Sequence, residues 1–280
     1  MLEPRKPIQY FQVDSATNKT TDASVIVETP VSLTVNGEAW VSFMCTPIHL
    51  ETLAVGFLFN EGVIDSMDEV SDVRVCEHGD NVDVWLSRAV EKPTDWTRTS
   101  GCSGGVTAVD SIARPRGVAA PNGFILPASG ISRLVEMLFE SQYIYHETGG
   151  VHTSALSDGE SILLSAEDIG RHNTLDKIAG MCLMQNVWPE RRILVTTGRI
   201  SSEMLQKAVR LGAGILISRT SPSSLSIELA EKWGITLIGY ARRNRFNLYA
   251  HPERILNAIS DSSVLPQDRT NIPPTHEEKD

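Results

Sequence analysis

From Arg192 to the neighbourhood of Ala250, short apolar runs alternate with amphipathic stretches, and this alternation leaves few folds open to the chain. RILVTTG reads as a strand and SSEMLQKAVRLG as a helix stopped by Gly212; GILISRT is a second strand. Ser221-Pro222 supplies a cap and a first-turn proline for the next helix, which Gly234 ends. ITLIGYA is a third strand and FNLYA a fourth. A β-α-β-α-β series predicts parallel strands with right-handed crossovers. Ligands of such sheets gather at the carboxyl ends of the strands.

The preceding sequence follows a different rhythm. VSLTVNGEAWVSF alternates around Asn36-Gly37, the signature of a hairpin with a primed turn. Thr46-Pro47 is read as a cap and first-turn proline before Leu50, Leu53, Ala54, Phe57 and Leu58 at helical spacing, with Gly62 ending the helix. VRVCEHGDNVDVWL is a second hairpin, and ARPRGVAAPNG a linker or loop. Ile131, Leu134, Val135, Leu138 and Phe139 mark an amphipathic helix. VHTSALSDGESILLSAE turns at Asp158-Gly159, and EDIGRHNTLDKIAGMCL runs into a helix. The expected organisation is a flexible start over 1–24, a β-rich part over 25–125, an α/β core over 126–258, and a polar, disordered tail over 259–280.

The length of 280 residues allows one large domain or two modest ones. A net charge of −10 argues against broad binding to nucleic acid or anionic membrane. No run of about 18 apolar residues is present to span a bilayer, and MLEPRKPIQYFQVDS lacks an apolar signal region. Cys45, Cys76, Cys102 and Cys182 form no CxxC pair, so neither a disulfide framework nor a zinc ribbon is expected. A cytoplasmic protein is the simplest expectation.

Four constellations carry chemistry. Cys102 stands in Ser100-Gly101-Cys102-Ser103-Gly104-Gly105, where glycines permit tight turning and close approach, and Arg98 and backbone N–H groups favour thiolate. It reads equally as a reactive thiol or as a cysteine in a turn with no role. A phosphatase-like C-x5-R is excluded by Ala108, and a thioredoxin-like pair by Gly105. Glu167, Asp168, Arg171, His172, Asn173 and Lys177 crowd a strand-to-helix junction, with His152 as a partner from the preceding strand. They form either an anion site or a capping network with Lys177 in solvent. Thr197, Arg199 and Ser201 open a helix after a parallel strand; the Walker A pattern is absent. Tyr240, Ala241, Arg242, Arg243, Asn244 and Arg245 place three arginines beyond the third strand, either a phosphate and base site or a solvated basic turn.

Together TSGCSGG, GGVHTSAL, EDIGRHNTLDK, TTGRISSEMLQKA, SRTSPSSLSIELAE and ITLIGYARRNRFNLY resemble, in order, the FdhD family of formate dehydrogenase accessory sulfurtransferases. The resemblance implies a small β-rich part joined to a cytidine-deaminase-like α/β core, and a homodimer. It implies a sulfur carrier that accepts sulfur from an IscS-type cysteine desulfurase as a persulfide on Cys102. The sulfur would pass to the bis(molybdopterin guanine dinucleotide) molybdenum cofactor before its insertion into formate dehydrogenase apoenzyme. Tyr240 to Arg245 map to the family's cofactor-contacting segment, and the loop at Thr197–Ser202 is expected beside it around the guanosine diphosphate part. Many members carry CxxC where this chain has Gly105 as the second position, so a relay between two loop thiols is not available. Zinc deamination is rejected, and no zinc is expected, because the chain lacks a PCxxC pair. A chaperone that holds the guanylated cofactor without moving sulfur is the remaining alternative.

Overall fold

The computed structural model describes residues 2–14, 17–93, 97–98, 106–107, 124–243 and 245–256, with backbone only for 97–98 and 106–107. Among these the start is not loose. Arg5–Val13 (β1) and Asn18–Ile26 (β2) form an antiparallel ribbon, which corrects the flexible start expected over 1–24. The side chains of this ribbon are mostly exposed, so backbone pairing and contacts with a later helix hold it.

Thr29–Val35 (β3) and Glu38–Cys45 (β4) form the expected hairpin, with Asn36 and Gly37 both at positive φ as a primed turn requires. Helix Leu50–Asn60 (α1) follows, then Val70–Val75 (β5) and Asn81–Leu86 (β6), giving a four-stranded sheet of order β4-β3-β6-β5. Thr46 does not cap α1. The N-cap is His49, in left-handed conformation and without a side-chain cap bond, and Thr46 is engaged elsewhere. Two-residue strands Thr97–Arg98 (β7) and Val106–Thr107 (β8) pair antiparallel. Cys102, between them, lies outside the described residues, as do the ARPRGVAAPNG stretch, Asn244 and the tail beyond 256.

The second half begins with Leu126–Pro127 (β9), Ala128–Glu140 (α2) and Ile144–Thr148 (α3). Then come His152–Ser157 (β10), Ile162–Asp168 (β11), Arg171–Gln185 (α4), Ile193–Thr196 (β12), Ser202–Arg210 (α5) and Ile215–Ser218 (β13). Ser224–Trp233 (α6), Thr236–Gly239 (β14), Asn247–Ala250 (β15) and Ile255–Leu256 (β16) complete it. The main sheet has the order β11-β10-β12-β13-β14-β15. β12, β13 and β14 are parallel, as the alternating pattern required, and β10 and β15 flank them antiparallel. The fold is therefore mixed α/β. Ser223 rather than Ser221 caps α6, accepting from the Ser226 N–H.

Both faces of the sheet are buried, and the pleat divides each strand between them. Leu194, Leu216 and Leu237 point into a core shared with α1, α4, α5 and the small sheet, while Ile193, Val195, Ile215, Ile217 and Ile238 face α2. One core thus runs from the β-rich part into the α/β part. At its centre α1 crosses α4 backbone to backbone. A Cβ on Gly56 would collide with the Asp176 carbonyl, and one on Gly180 with the Thr52 carbonyl.

Candidate functional site: a cationic rim beside a buried charged seam

The residues of the EDIGRHNTLDK segment divide into two groups. Most of them close a seam between the halves. Lys177 is 0% exposed and donates to Asp168 Oδ2 at 2.6 Å, and to the carbonyls of Thr46 and Glu167 at 3.1 Å each. Asp168 also accepts from the Thr46 and Gly170 N–H groups and from Asn173 Nδ2. Thr46 Oγ1 in turn accepts from the Ile169 N–H. The lysine is not in solvent: it is the closed centre of the joint. Glu167 accepts the N–H groups of Tyr143, Ile144 and Tyr145, so its charge caps α3. One turn on, Asp176 accepts from Lys207 Nζ through both oxygens at 2.5 and 2.6 Å and from Asn60 Nδ2 at 2.7 Å. Arg210 pairs with Asp65 and donates to the carbonyls of Phe59 and Ile64.

The second group turns toward the carboxyl ends of β12, β13 and β14. Two recesses open there. The smaller, about 190 Å³, is lined by Arg171, Arg199, Ile200, Ser201, Ser221, Pro222 and Ser223. A parallel bridge between Ile200 and Pro222 brings the starts of α5 and α6 together beside it, and their caps are Ser201 and Ser223. The larger, about 440 Å³, is lined by Gln142, Tyr145, Gly149, Gly150, His152, Thr197, Arg219, Thr220 and Arg242 among others. His152 Nδ1 lies 3.3 Å from Thr197 Oγ1, and His172 Nε2 lies 3.4 Å from Ser201 Oγ. Burial first, then neighbouring cations, lowers the pKa of both histidines, His172 well below its ordinary value. Both are neutral near pH 7.

The arginine segment after β14 is only partly united with this rim. Tyr240 adopts a left-handed turn (φ 50°) and is exposed, whereas Ala241 is buried. Arg242 donates through Nη1 to the carbonyls of Arg219 and Ala241, which fixes it between the β13 and β14 exits. Arg243 turns away to Glu136 on α2 at 2.9 Å, and Arg245 is exposed with its carbonyl accepting from the Arg242 N–H. Of the three arginines, Arg242 is the one that lines this cavity. Arg219, a single arginine in SRT with no basic neighbour, faces it too, and no charge cluster in the sequence marked it.

Of the cysteines described, Cys45 and Cys182 are fully buried, and burial pushes both thiols up to about 12. Cys76 is partly exposed, and its Sγ donates to Asp80 Oδ1 at 2.9 Å on the β5–β6 turn. Three His-x-Glu triplets occur in the chain, His49–Glu51, His251–Glu253 and His276–Glu278, without an accompanying cysteine pair. No three His, Cys, Asp or Glu side chains group as a metal site among the described residues. No helix among them is long and apolar enough to cross a membrane.

The sequence pattern of the FdhD/NarQ family matches residues 26–256, from the end of β2 through β16. The chain belongs to the FdhD/NarQ family. It is similar to the sulfur carrier protein FdhD of Staphylococcus aureus strain MRSA252, at 34% identity over 90% of this chain and 96% of that one. The strain Newman protein of the same name is 33% identical over the same shares. A crystal structure assigned as a formate dehydrogenase accessory protein from Desulfotalea psychrophila matches with a TM-score of 0.73 at 28% identity, covering 91% of this chain and 100% of that one. Seam and rim both fall inside the FdhD/NarQ match, as does Cys102.

Proposed function

We propose that this FdhD/NarQ chain is a sulfur carrier serving formate dehydrogenase. It takes sulfur from an IscS-type cysteine desulfurase as a persulfide on Cys102 and passes it to the bis(molybdopterin guanine dinucleotide) molybdenum cofactor before insertion. In loading, the Cys102 thiolate attacks the outer sulfur of the donor persulfide. The donor's S–S bond breaks, its cysteine leaves as thiolate, and Cys102 keeps the outer sulfur. The names of the similar proteins support the carrier role, and the burial of Cys45 and Cys182 supports the choice of cysteine. Cys45 and Cys182, with thiols near 12, hold almost no thiolate at neutral pH and are sealed from any partner. The carboxyl-end rim supports binding of an anionic cargo at Tyr240, Arg242, Thr197, Arg199 and Ser201. The reading includes a cytoplasmic homodimer that works without zinc.

The deciding measurement is the intact mass after incubation with desulfurase and cysteine. Wild type gains one sulfur atom; Cys102→Ser gains none and fails to support formate dehydrogenase; Cys45→Ala and Cys182→Ala load normally. Undiminished loading of Cys102→Ser would sink the assignment. A cofactor chaperone that moves no sulfur needs the rim but not Cys102, so a wild type that binds guanylated cofactor yet never gains mass would favour that alternative.

A further inference from the structure

Arg219 immediately follows β13 and has no part in the chemistry described so far. Its guanidinium lies over the Phe139 ring, 4.2 Å from the centroid. Such a stack orients the planar fork, which an ammonium group would not provide. Its Nε is buried without a hydrogen-bond partner. Among the described residues, neither Arg219 nor Arg242 stands in an ion pair, whereas Arg243 pairs with Glu136. Burial and then the charge of Arg242 both act against the positive charge of Arg219. Two like charges held together without a carboxylate are costly until an anion joins them.

The surroundings show on which side that anion fits. Arg219 and Arg242 separate two cavities. One, of about 510 Å³, also carries Glu136, Glu140 and Arg243, so acids already answer its positive charge. The other, of about 440 Å³, contains no carboxylate in its lining. It adds the Thr197 and Thr220 hydroxyls, neutral His152, and Gly149, where no atom lies within 4 Å of the place a Cβ would take. Guanidinium forks with hydroxyl donors around an acid-free cavity match a tetrahedral phosphoryl group.

We propose that Arg219 and Arg242 form a two-arginine clamp in this cavity for a phosphoryl oxyanion, and that Arg243 and Arg245 take no part in it. Assigning that oxyanion to the nucleotide end of the cargo rests on the proposed function; the clamp itself does not depend on Cys102.

The test titrates inorganic pyrophosphate, and separately GDP, against wild type, Arg219→Ala, Arg219→Gln and an Arg243→Ala/Arg245→Ala variant, with thermal unfolding as the check on folding. Loss of one well-placed charge-assisted contact weakens binding roughly tenfold or more. Both Arg219 variants should show that loss for both ligands. The Arg243/Arg245 variant should stay within about threefold of wild type, as exposed charges do. Wild-type affinity in either folded Arg219 variant overturns the clamp, as does an equal loss in the Arg243/Arg245 variant or a wild type that binds no pyrophosphate. If Arg219→Ala fails to fold, Arg219→Gln decides; if neither folds, Arg219 holds the fold rather than a ligand, and the proposal falls. Sulfur loading of Cys102 is read separately, by intact mass, on the wild type. A wild type that fails to load sinks the carrier reading and leaves the clamp standing.

Discussion

The seam and the rim are built from the same residue types and use them in opposite ways. In the seam every charge is answered. The three ammonium protons of Lys177 meet three acceptors, Asp168 Oδ2 and the Thr46 and Glu167 carbonyls, and both carboxylate oxygens of Asp176 meet Lys207. In the rim Arg219 and Arg242 share a cavity with no acid in its lining. Matched, buried charge sets geometry, because removing one partner strands the other. Unmatched charge at an opening is left for something that arrives. A cluster such as Glu167–Lys177, which reads as one site along the sequence, therefore splits once folded into a closed seam and a part that turns toward the rim.

The severest challenge to this contrast is Asp168→Ala. It leaves Lys177 charged and buried, and should destabilise the fold by about 3–5 kcal/mol in denaturant unfolding. A loss under about 1 kcal/mol would mean that the seam is not what joins the halves. Gly180→Ala comes next. Its methyl meets the Thr52 carbonyl, which is backbone and cannot swing aside, so a cost of at least about 1–3 kcal/mol is expected by the same assay.

A third test is a pH series. His172 is neutral in the folded protein but takes up a proton near 6.5 when unfolded. The unfolded state then binds more protons, so stability falls as pH drops below 6.5, by up to about 1.4 kcal/mol per pH unit for one such histidine. His152 and His49, also lowered, act in the same direction. His251 is raised and acts oppositely: its contribution is present below the unfolded value and fades as pH rises through the folded one. His172→Gln should flatten the acid limb, and an unchanged limb would move the titration elsewhere. The smallest effect belongs to the rim. Arg199→Ala should alter stability by no more than about 0.5 kcal/mol, and a loss as large as that of Asp168→Ala would erase the distinction.

Much of the fold was legible because its signals are local. The Asn36-Gly37 turn, the Asp158-Gly159 turn and the helix stops at Gly212 and Gly234 each follow from backbone conformations that few residues adopt. The parallel strands followed from apolar runs buried on both faces. The N-terminal ribbon escaped notice because its strands show no apolar alternation; cross-strand backbone bonds leave no such trace. Thr46 and Ser221 were read as helix caps on composition, but Thr46 is taken by Ile169, more than a hundred residues away, and α6 starts later, at Ser223. Long-range partnership also hid the fate of Lys177. Arg219 was invisible for the converse reason: one arginine beside a strand means nothing until Phe139 and Arg242 stand next to it.

The glycine crossing of α1 and α4 limits how a protein of this shape can be taken apart. With backbone touching backbone and ionic groups locked on either side, neither fragment would present a surface that water tolerates. Cutting the chain between β8 and β9 should thus yield two pieces that aggregate when produced singly and regain solubility only when produced together. The same junction ties the two halves through packed backbone, so a ligand at the proposed rim site would have to be received without the body of the protein opening.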